Sequence, residues 1–178
     1  MKVTETALPG VLLLELDERV DERGHLVELF HHERYREHGI TAAFVQDNVS
    51  SSRPGVLRGL HYQLGQAQGK LVTVLRGAVF DVAVDLRPGS ATFGKWIGMT
   101  LSAENRRQLW IPPDFAHGFL ALEEGAEVIY KCTQLYAPAT ARAIRWNDPE
   151  LAIAWPTTAP LLSPVDAAAP FLAAAELP

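Results

Sequence analysis

The sequence contains one cysteine and no long apolar run. Cys132 alone can form neither an internal disulfide bond nor a cysteine metal cluster. No apolar segment approaches the roughly 20 residues that a transmembrane helix needs. The first ten residues, MKVTETALPG, lack the apolar core of a secretion signal. We therefore expect a soluble cytoplasmic protein that does not act at a membrane.

Basic residues are in the minority, with 16 Lys and Arg against 21 Asp and Glu, for a formal net charge of −5. This balance disfavours general nucleic-acid binding, which depends on dense Lys and Arg contacts to phosphate. A small anionic ligand stays possible, because a few arginines can gather locally on an acidic protein. The chain has 178 residues, 48% of them hydrophobic, which predicts one folded domain over residues 1–178.

Several motifs of catalysis and metal binding are also missing. The chain has no Gly-x-Ser-x-Gly nucleophile motif and no glycine-rich phosphate loop before a helix. Metal-binding β-barrels often carry His-x-His on one strand, whereas His61 has Gly59 and Gln63 two residues away on either side. We expect no metal and no other cofactor, which leaves acid–base chemistry by ordinary side chains.

Short apolar stretches separated by Gly, Pro, Asn or Asp predict many β-strands and few helices. The longest stretch, Lys70–Leu86, predicts a hairpin that turns at Arg76-Gly77. In its second arm, the odd-numbered residues from Val79 to Asp85 should face one way and the even-numbered residues from Phe80 to Leu86 the other. This pattern favours an antiparallel sandwich or barrel.

The remaining elements are predicted from the same signals. The segment His32–His38 predicts a helix of two turns that ends at Gly39. The proline-rich tail after Ile153 should wrap as irregular chain over the strands. Further strands are predicted at Leu57–Gln63, Trp96–Leu101, Gln108–Ile111, Gly118–Leu122, Glu127–Thr133 and Ala143–Trp146.

Three residues are candidates for chemistry, and each has an ordinary structural explanation when it is considered alone. On the predicted strand Leu57–Gln63, His61 shares a face with Gly59 and Gln63, while Arg58 lies on the other face. A lone histidine is more often a satisfied core residue than a catalytic one. His117 could equally be bonded within its own loop, and Tyr130 could be a buried structural tyrosine. Only their combination with other segments is specific.

Twelve short motifs occur in order between about Val11 and Asp166. Together they resemble the dTDP-4-dehydrorhamnose 3,5-epimerase family, enzymes of deoxysugar nucleotide biosynthesis. The motifs are Asp21–Gly24 (DERG) with Glu28 and Phe30, Gln46–Asn48 (QDN), Gly55–Gln63 (GVLRGLHYQ), Gln68–Val72 (QGKLV), Val82–Arg87 (VAVDLR), Thr92–Gly94 (TFG), Trp110–Pro112 (WIP), Phe115–Phe119 (FAHGF), Tyr130–Thr133 (YKCT), Tyr136–Pro138 (YAP), Trp146–Pro149 (WNDP), and Leu162-Ser163 with Asp166.

The resemblance implies an all-β fold, a cupin-type double-stranded jelly-roll barrel with a few short helices and an irregular C-terminal tail. It also implies a homodimer and a small nucleotide-sugar substrate, dTDP-4-dehydro-6-deoxy-D-glucose. The reaction would invert C3 and C5 and give dTDP-4-dehydro-L-rhamnose. The hydrogens on C3 and C5 flank the C4 ketone, so removal of either as a proton gives an enolate. Inversion of a carbon then needs a base on one face and an acid on the other.

The resemblance also implies roles for individual residues. His61 would be the base, Asp166 would orient it, Tyr130 would be the acid on the opposite face, and Lys70 would offset the enolate charge. Tyr136 would stack on the thymine ring. The substrate-binding residues by resemblance are Arg23, Glu28, Gln46, Asn48, Arg58, His117 and Tyr136.

Two positions depart from the family pattern. Ala141 stands where many members have an acidic residue, and Val165 stands where they commonly have lysine. Both positions bear on substrate binding and on whether both carbons are inverted. The nearest alternative is therefore an enzyme that epimerises only C3, or a keto-isomerase of a related nucleotide sugar. More distant alternatives are a cupin that binds sugar without catalysis and a metal-dependent cupin oxygenase.

Overall fold

A computed structural model describes all residues from 1 to 178, with eleven β-strands, two short α-helices and a 3-10 helix at Leu172–Ala174. The strands are β1 (Lys2–Glu5), β2 (Leu12–Glu15), β3 (Glu18–Asp21), β4 (Gly24–Val27), β5 (Gln46–Ser52), β6 (Leu57–Gln63), β7 (Lys70–Asp85), β8 (Trp96–Ser102), β9 (Arg107–Ile111), β10 (Phe115–Cys132) and β11 (Ala141–Ala143). The helices are α1 (His32–Glu37) and α2 (Pro164–Ala167). None of the helices is long and apolar enough to cross a membrane.

Two long antiparallel strands, β7 and β10, organise the fold. The predicted hairpin within Lys70–Leu86 is wrong, because β7 continues through Arg76-Gly77 as one strand of 16 residues. The two strands predicted at Gly118–Leu122 and Glu127–Thr133 are likewise parts of one strand, β10. The pairing of β7 with β10 shifts register between Ala121 and Ala126, so that the glycine-containing segments are bulges and not turns.

The bulges of β7 and β10 lie against each other. Gly77 has φ +69° and Gly125 has φ +73°, a region that glycine enters without steric cost. A Cβ atom added to Gly77 would lie 1.9 Å from the carbonyl oxygen of Gly125. Only a residue without a side chain fits there, which explains why glycine stands at this position. The bulges bend both strands at this point.

The bend divides β7 and β10 between two sheet layers. Before it, β7 pairs with β9, and the matching half of β10 pairs with β5. After it, β7 pairs with β8, and the other half of β10 pairs with β6, which in turn pairs with β11. Strands β1 and β2 extend the first layer, and β3 and β4 form a separate two-stranded sheet. This is the jelly-roll arrangement expected from the sequence.

Apolar residues form one cluster between the two layers and one on each outer face. Alternation along the second half of β7 divides them as predicted, since Val79 and Ala83 belong to the inner cluster and Val82 and Val84 to an outer one. On the outer face of the first layer, α1 buries Tyr35. The helix occupies His32–Glu37, one residue shorter than predicted, with His38 as its C-cap.

The C-terminal tail covers the outer face of the second layer, as predicted, but it is not wholly irregular. Leu172 packs into the outer cluster, and Arg145 Nε donates a hydrogen bond of 2.9 Å to the Ala169 carbonyl oxygen. Helix α2 forms because Ser163 Oγ caps it by accepting a bond from the Asp166 backbone N–H, followed by proline at the first helical position. The strand predicted at Ala143–Trp146 lies earlier, at Ala141–Ala143.

Candidate active site

A cavity of about 540 Å³ opens between strands β5, β6, β7 and β10. Its volume is within the usual size range of ligand sites. Nine of the eleven predicted site residues line it, and they come from β5, β6, β7, β10, α2 and the chain after β10. These nine are Gln46, Asn48, Arg58, His61, Lys70, His117, Tyr130, Tyr136 and Asp166.

A bulge in β6 directs Arg58 and His61 into the same cavity. Three residue steps separate Arg58 from His61, whereas their partners on β10, Phe119 and His117, are two steps apart. The extra residue reverses the alternation of side chains. The prediction that Arg58 and His61 lie on opposite faces is therefore wrong.

A close approach of two backbones fixes this bulge. Gly59 has φ +127°, and a Cβ atom there would lie 2.5 Å from the Gly118 Cα and 2.8 Å from the His117 carbonyl oxygen. Gly118 in turn lets β10 approach β6 beside the site, because a Cβ atom there would lie 2.8 Å from the Arg58 carbonyl oxygen.

His61 and Asp166 form a hydrogen-bonded pair across 105 residues of sequence. His61 Nε2 donates to Asp166 Oδ1 at 2.6 Å, and Ser163 Oγ donates to Asp166 Oδ2 at 2.9 Å. Burial alone would raise the pKa of the Asp166 carboxyl, but the His61 hydrogen bond and charge and the Ser163 bond together hold the pKa below its usual value. Because Nε2 carries the proton that it donates in this hydrogen bond, Nδ1 of His61 keeps a free lone pair and can act as a base.

Lys70 and Tyr130 lie on the inner face of the first sheet layer. Strand register places Lys70 opposite Cys132 and Tyr130 opposite both Val72 and Asn48, and directly opposed residues project to the same side. Burial lowers the pKa of the Lys70 ammonium group and raises the pKa of the Tyr130 hydroxyl. Tyr130 thus holds its proton at neutral pH, as a catalytic acid must.

His117 has a buried partner that the sequence analysis missed. His117 Nε2 donates to Asp81 Oδ2 at 2.9 Å, and Asp81 is fully buried. The other carboxylate oxygen, Oδ1, has no hydrogen-bond partner. The alternation of β7 already placed Asp81 on the face that carries Val79 and Ala83, and an acidic residue between two apolar ones was the available signal.

The remaining predicted residues divide between the cavity rim and a distant sheet. On the rim, Tyr136 is 59% exposed, and Arg58 Nε donates to Ser52 Oγ at 3.0 Å. Arg23 and Glu28 lie outside this chain's cavity, Arg23 in the turn between β3 and β4 and Glu28 just after β4 at the other end of that sheet. Arg23 forms a salt bridge with Asp21, and Glu28 with Arg34. The two departures from the family pattern, Ala141 and Val165, both line the cavity.

The structure contains no cluster of three or more His, Cys, Asp or Glu side chains that could hold a metal ion. The side chains that face the cavity are instead suited to proton transfer and to binding an anion. His61 supplies a base, Tyr130 an acid, and Lys70 and Arg58 supply positive charge.

Comparison with known proteins gives a consistent result. The family model described as dTDP-4-dehydrorhamnose 3,5-epimerase matches residues 5–174. A protein of that name from Neisseria gonorrhoeae is 55% identical over 177 residues, and the match covers 99% of this chain and 54% of that protein. The chain thus spans about half the length of that relative.

A solved structure matches over nearly the full length of both chains. It is a dTDP-6-deoxy-D-glucose-3,5-epimerase from Legionella pneumophila in complex with dTDP-4-keto-L-rhamnose, 52% identical, with a TM-score of 0.94 over 97% of this chain and 93% of that one. A dTDP-4-dehydrorhamnose 3-epimerase from Streptomyces niveus is more distant, at 41% identity over 98% of this chain and 86% of the relative. This chain belongs to the dTDP-4-dehydrorhamnose 3,5-epimerase family.

Proposed function

We propose that this protein inverts C3 and C5 of dTDP-4-dehydro-6-deoxy-D-glucose and so produces dTDP-4-dehydro-L-rhamnose. The observation that carries the proposal is the hydrogen-bonded pair of His61 and Asp166 in the cavity that Lys70 and Tyr130 also line. A protein that only bound a nucleotide sugar would not need an oriented base, a protonated phenol and a buried cation together.

The proposed proton transfers follow from the positions of these groups in the cavity. Nδ1 of His61 takes the hydrogen from the carbon beside the C4 ketone, and Asp166 stabilises the imidazolium that forms. The electron pair moves onto the C4 oxygen as an enolate, whose charge the Lys70 ammonium group offsets. Tyr130 then protonates the same carbon from the opposite face, which inverts its configuration.

The nucleotide is proposed to bind along the rim. Arg58 lies on the cavity wall beside His61 and can bind the diphosphate with two parallel hydrogen bonds. Tyr136 offers an exposed ring on which thymine can stack. Gln46, Asn48 and His117 complete the lining as binding residues. The acidic net charge is compatible with this substrate because Arg58, Lys70 and Arg142 supply positive charge locally in the cavity.

We also propose that residues 1–178 act as one catalytic domain in a homodimer. The β3–β4 sheet is solvent-exposed and presents Val20, 73% exposed, and Leu26, 67% exposed. The two side chains project to opposite faces of the sheet, and a second copy of the chain that packs against the sheet would cover Leu26. It would also let Arg23 and Glu28, at the two ends of this sheet, reach the partner's cavity. We expect Leu26→Glu to be a monomer in light scattering and to lose turnover. A Leu26→Glu protein that stays dimeric would contradict this arrangement.

The cytoplasm is the proposed site of action. Cys132 is a buried free thiol, as is usual in a reducing compartment.

The test of the proposed function is turnover of dTDP-4-dehydro-6-deoxy-D-glucose in heavy water, followed by NMR. Because each inverted carbon exchanges its hydrogen with solvent, the proposal predicts deuterium at both C3 and C5 of the product. Deuterium only at C3 would identify an enzyme that epimerises C3 alone, in line with the Streptomyces niveus relative. Binding without exchange would identify a non-catalytic protein, and activity that is lost on chelation and restored by metal would identify a metalloenzyme.

A further inference from the structure

The segment Gln134–Ala137 carries Tyr136 past the cavity rim, immediately after β10. The Tyr136 side chain is 59% exposed and takes part in none of the aromatic pairs of the protein. Its own packing therefore does little to hold the ring in place. The position of the ring must be set mainly by the backbone of the segment.

Side-chain amides of three glutamines bind that backbone at four consecutive residues. Gln68 Nε2 donates to the Gln134 carbonyl oxygen at 2.8 Å. Gln46 Oε1 accepts a bond of 2.8 Å from the Tyr136 backbone N–H. The third amide belongs to Gln63.

Gln63 holds the backbone on both sides of Tyr136. Its Nε2 donates to the Leu135 carbonyl oxygen at 3.3 Å and to the Gln66 carbonyl oxygen at 2.9 Å. Its Oε1 accepts a bond of 2.9 Å from the Ala137 backbone N–H. Both donor hydrogens of the amide are thus used within the protein, and Gln63 is only 4% exposed. A buried amide with every donor satisfied has a fixed geometry and little capacity left for a ligand.

We infer that Gln63 and Gln68 are positioning residues that fix Tyr136 as the stacking surface for the nucleobase. The inference rests on the proposed function, in which Tyr136 binds thymine. Gln63 lies two residues after His61 on β6. The same strand therefore carries the catalytic base and, through one amide, the surface for the nucleobase. The link from His61 through Gln63 to Tyr136 therefore sets the distance between the bound nucleobase and the reacting sugar carbons.

The experiment is a double-mutant cycle with Gln63→Met and Tyr136→Ala, read as the Kd for thymidine diphosphate by calorimetry. Methionine keeps the length of glutamine and removes its hydrogen bonds. Loss of a stacking ring should raise Kd roughly tenfold for Tyr136→Ala. Gln63→Met should raise Kd about fivefold alone and by less than about twofold when Tyr136 is already alanine, because its effect acts through the ring. Gln66→Ala, which changes an exposed side chain without hydrogen bonds, is the control and should leave Kd unchanged.

Steady-state kinetics separate positioning from general damage. For Gln63→Met, KM for the nucleotide sugar should rise with Kd, while kcat falls by less than about threefold, since the reacting groups keep their places. Gln68→Met, which removes only the bond to Gln134, gives a second and milder variant with the same expected coupling. It also tests the inference if Gln63→Met does not fold.

Each alternative result has a distinct meaning. Equal effects of Gln63→Met in both backgrounds, or an unchanged Kd, would overturn the inference while leaving the proposed function intact. An unchanged Kd for Tyr136→Ala would instead contradict the nucleobase site of the proposed function.

Discussion

Gly59→Ala tests whether the bulge in β6 creates the active site. The added Cβ would lie 2.5 Å from the Gly118 Cα and 2.8 Å from the His117 carbonyl oxygen, at φ +127°. Backbone strain of this kind costs about 1–3 kcal/mol, and forcing an atom into a packed site costs a similar amount. The free energy of unfolding should therefore fall by ~3 kcal/mol.

The same substitution should reduce catalysis more than stability alone explains. Strands β6 and β10 must separate to admit the methyl group, and His61 lies two residues beyond it. A displacement of about 1 Å can cost roughly 100-fold in rate, so kcat should fall by that order in protein that is still folded. Urea unfolding, followed by the fluorescence of the four tryptophans, and an NMR turnover assay measure the two effects.

Gly65→Ala is the matched control for that prediction. Gly65 also has a positive φ, +69°, but an added Cβ there meets nothing within 4 Å. It should lose only about 1 kcal/mol, from backbone strain, and keep its turnover. If Gly59→Ala lost no more stability than Gly65→Ala, or retained normal kcat, the role assigned to the bulge would be refuted.

Three further predictions concern the ionisable groups of the site. Asp166→Asn should lower kcat by about 10²- to 10⁴-fold with little change in KM, because His61 loses its orienting carboxylate; a decrease below tenfold would contradict that role. The pKa of Asp166 lies below its usual 3.8, so the pair of His61 and Asp166 stabilises the fold above about pH 4, and this stabilisation is lost as pH falls through the pKa of the folded state. In Asp166→Asn, the free energy of unfolding should not show this loss at acid pH. The pKa of Lys70 lies below its usual 10.5, whereas that of Tyr130 lies above its usual 10.0. A pH profile of kcat should therefore fall on its alkaline side with an apparent pKa under 10.5 as Lys70 loses charge, and constant kcat through pH 10.5 would contradict the role of its ammonium group.

Local sequence patterns were sufficient for the elements that depend on neighbouring residues. Alternation along β7 separated the inner and outer apolar clusters, and Gly39 marked the end of α1 within one residue. Family motifs predicted nine residues that the fold brings to one cavity, although they span 120 positions from Gln46 to Asp166.

The features that could not be predicted depend on contacts between distant backbones. Gly77 meets Gly125, and Gly59 meets Gly118, and in each pair the approach of the other strand explains why the residue is glycine. From local sequence alone, Gly77 has the same pattern as a hairpin turn, and Gly59 does not interrupt the alternation of a strand. The resulting bulges make β7 continuous and place Arg58 beside His61. Asp81 was missed for a related reason, because its partner His117 lies 36 residues away.

The central claim is that His61 and Tyr130 act on opposite faces of the same carbon. The most direct test is Tyr130→Phe with dTDP-4-dehydro-6-deoxy-D-glucose in heavy water. With the base intact and the acid removed, NMR should show deuterium entering the substrate with its original configuration, while inversion falls at least 100-fold. Inversion at the wild-type rate would contradict the account, because another group would then have to deliver the proton.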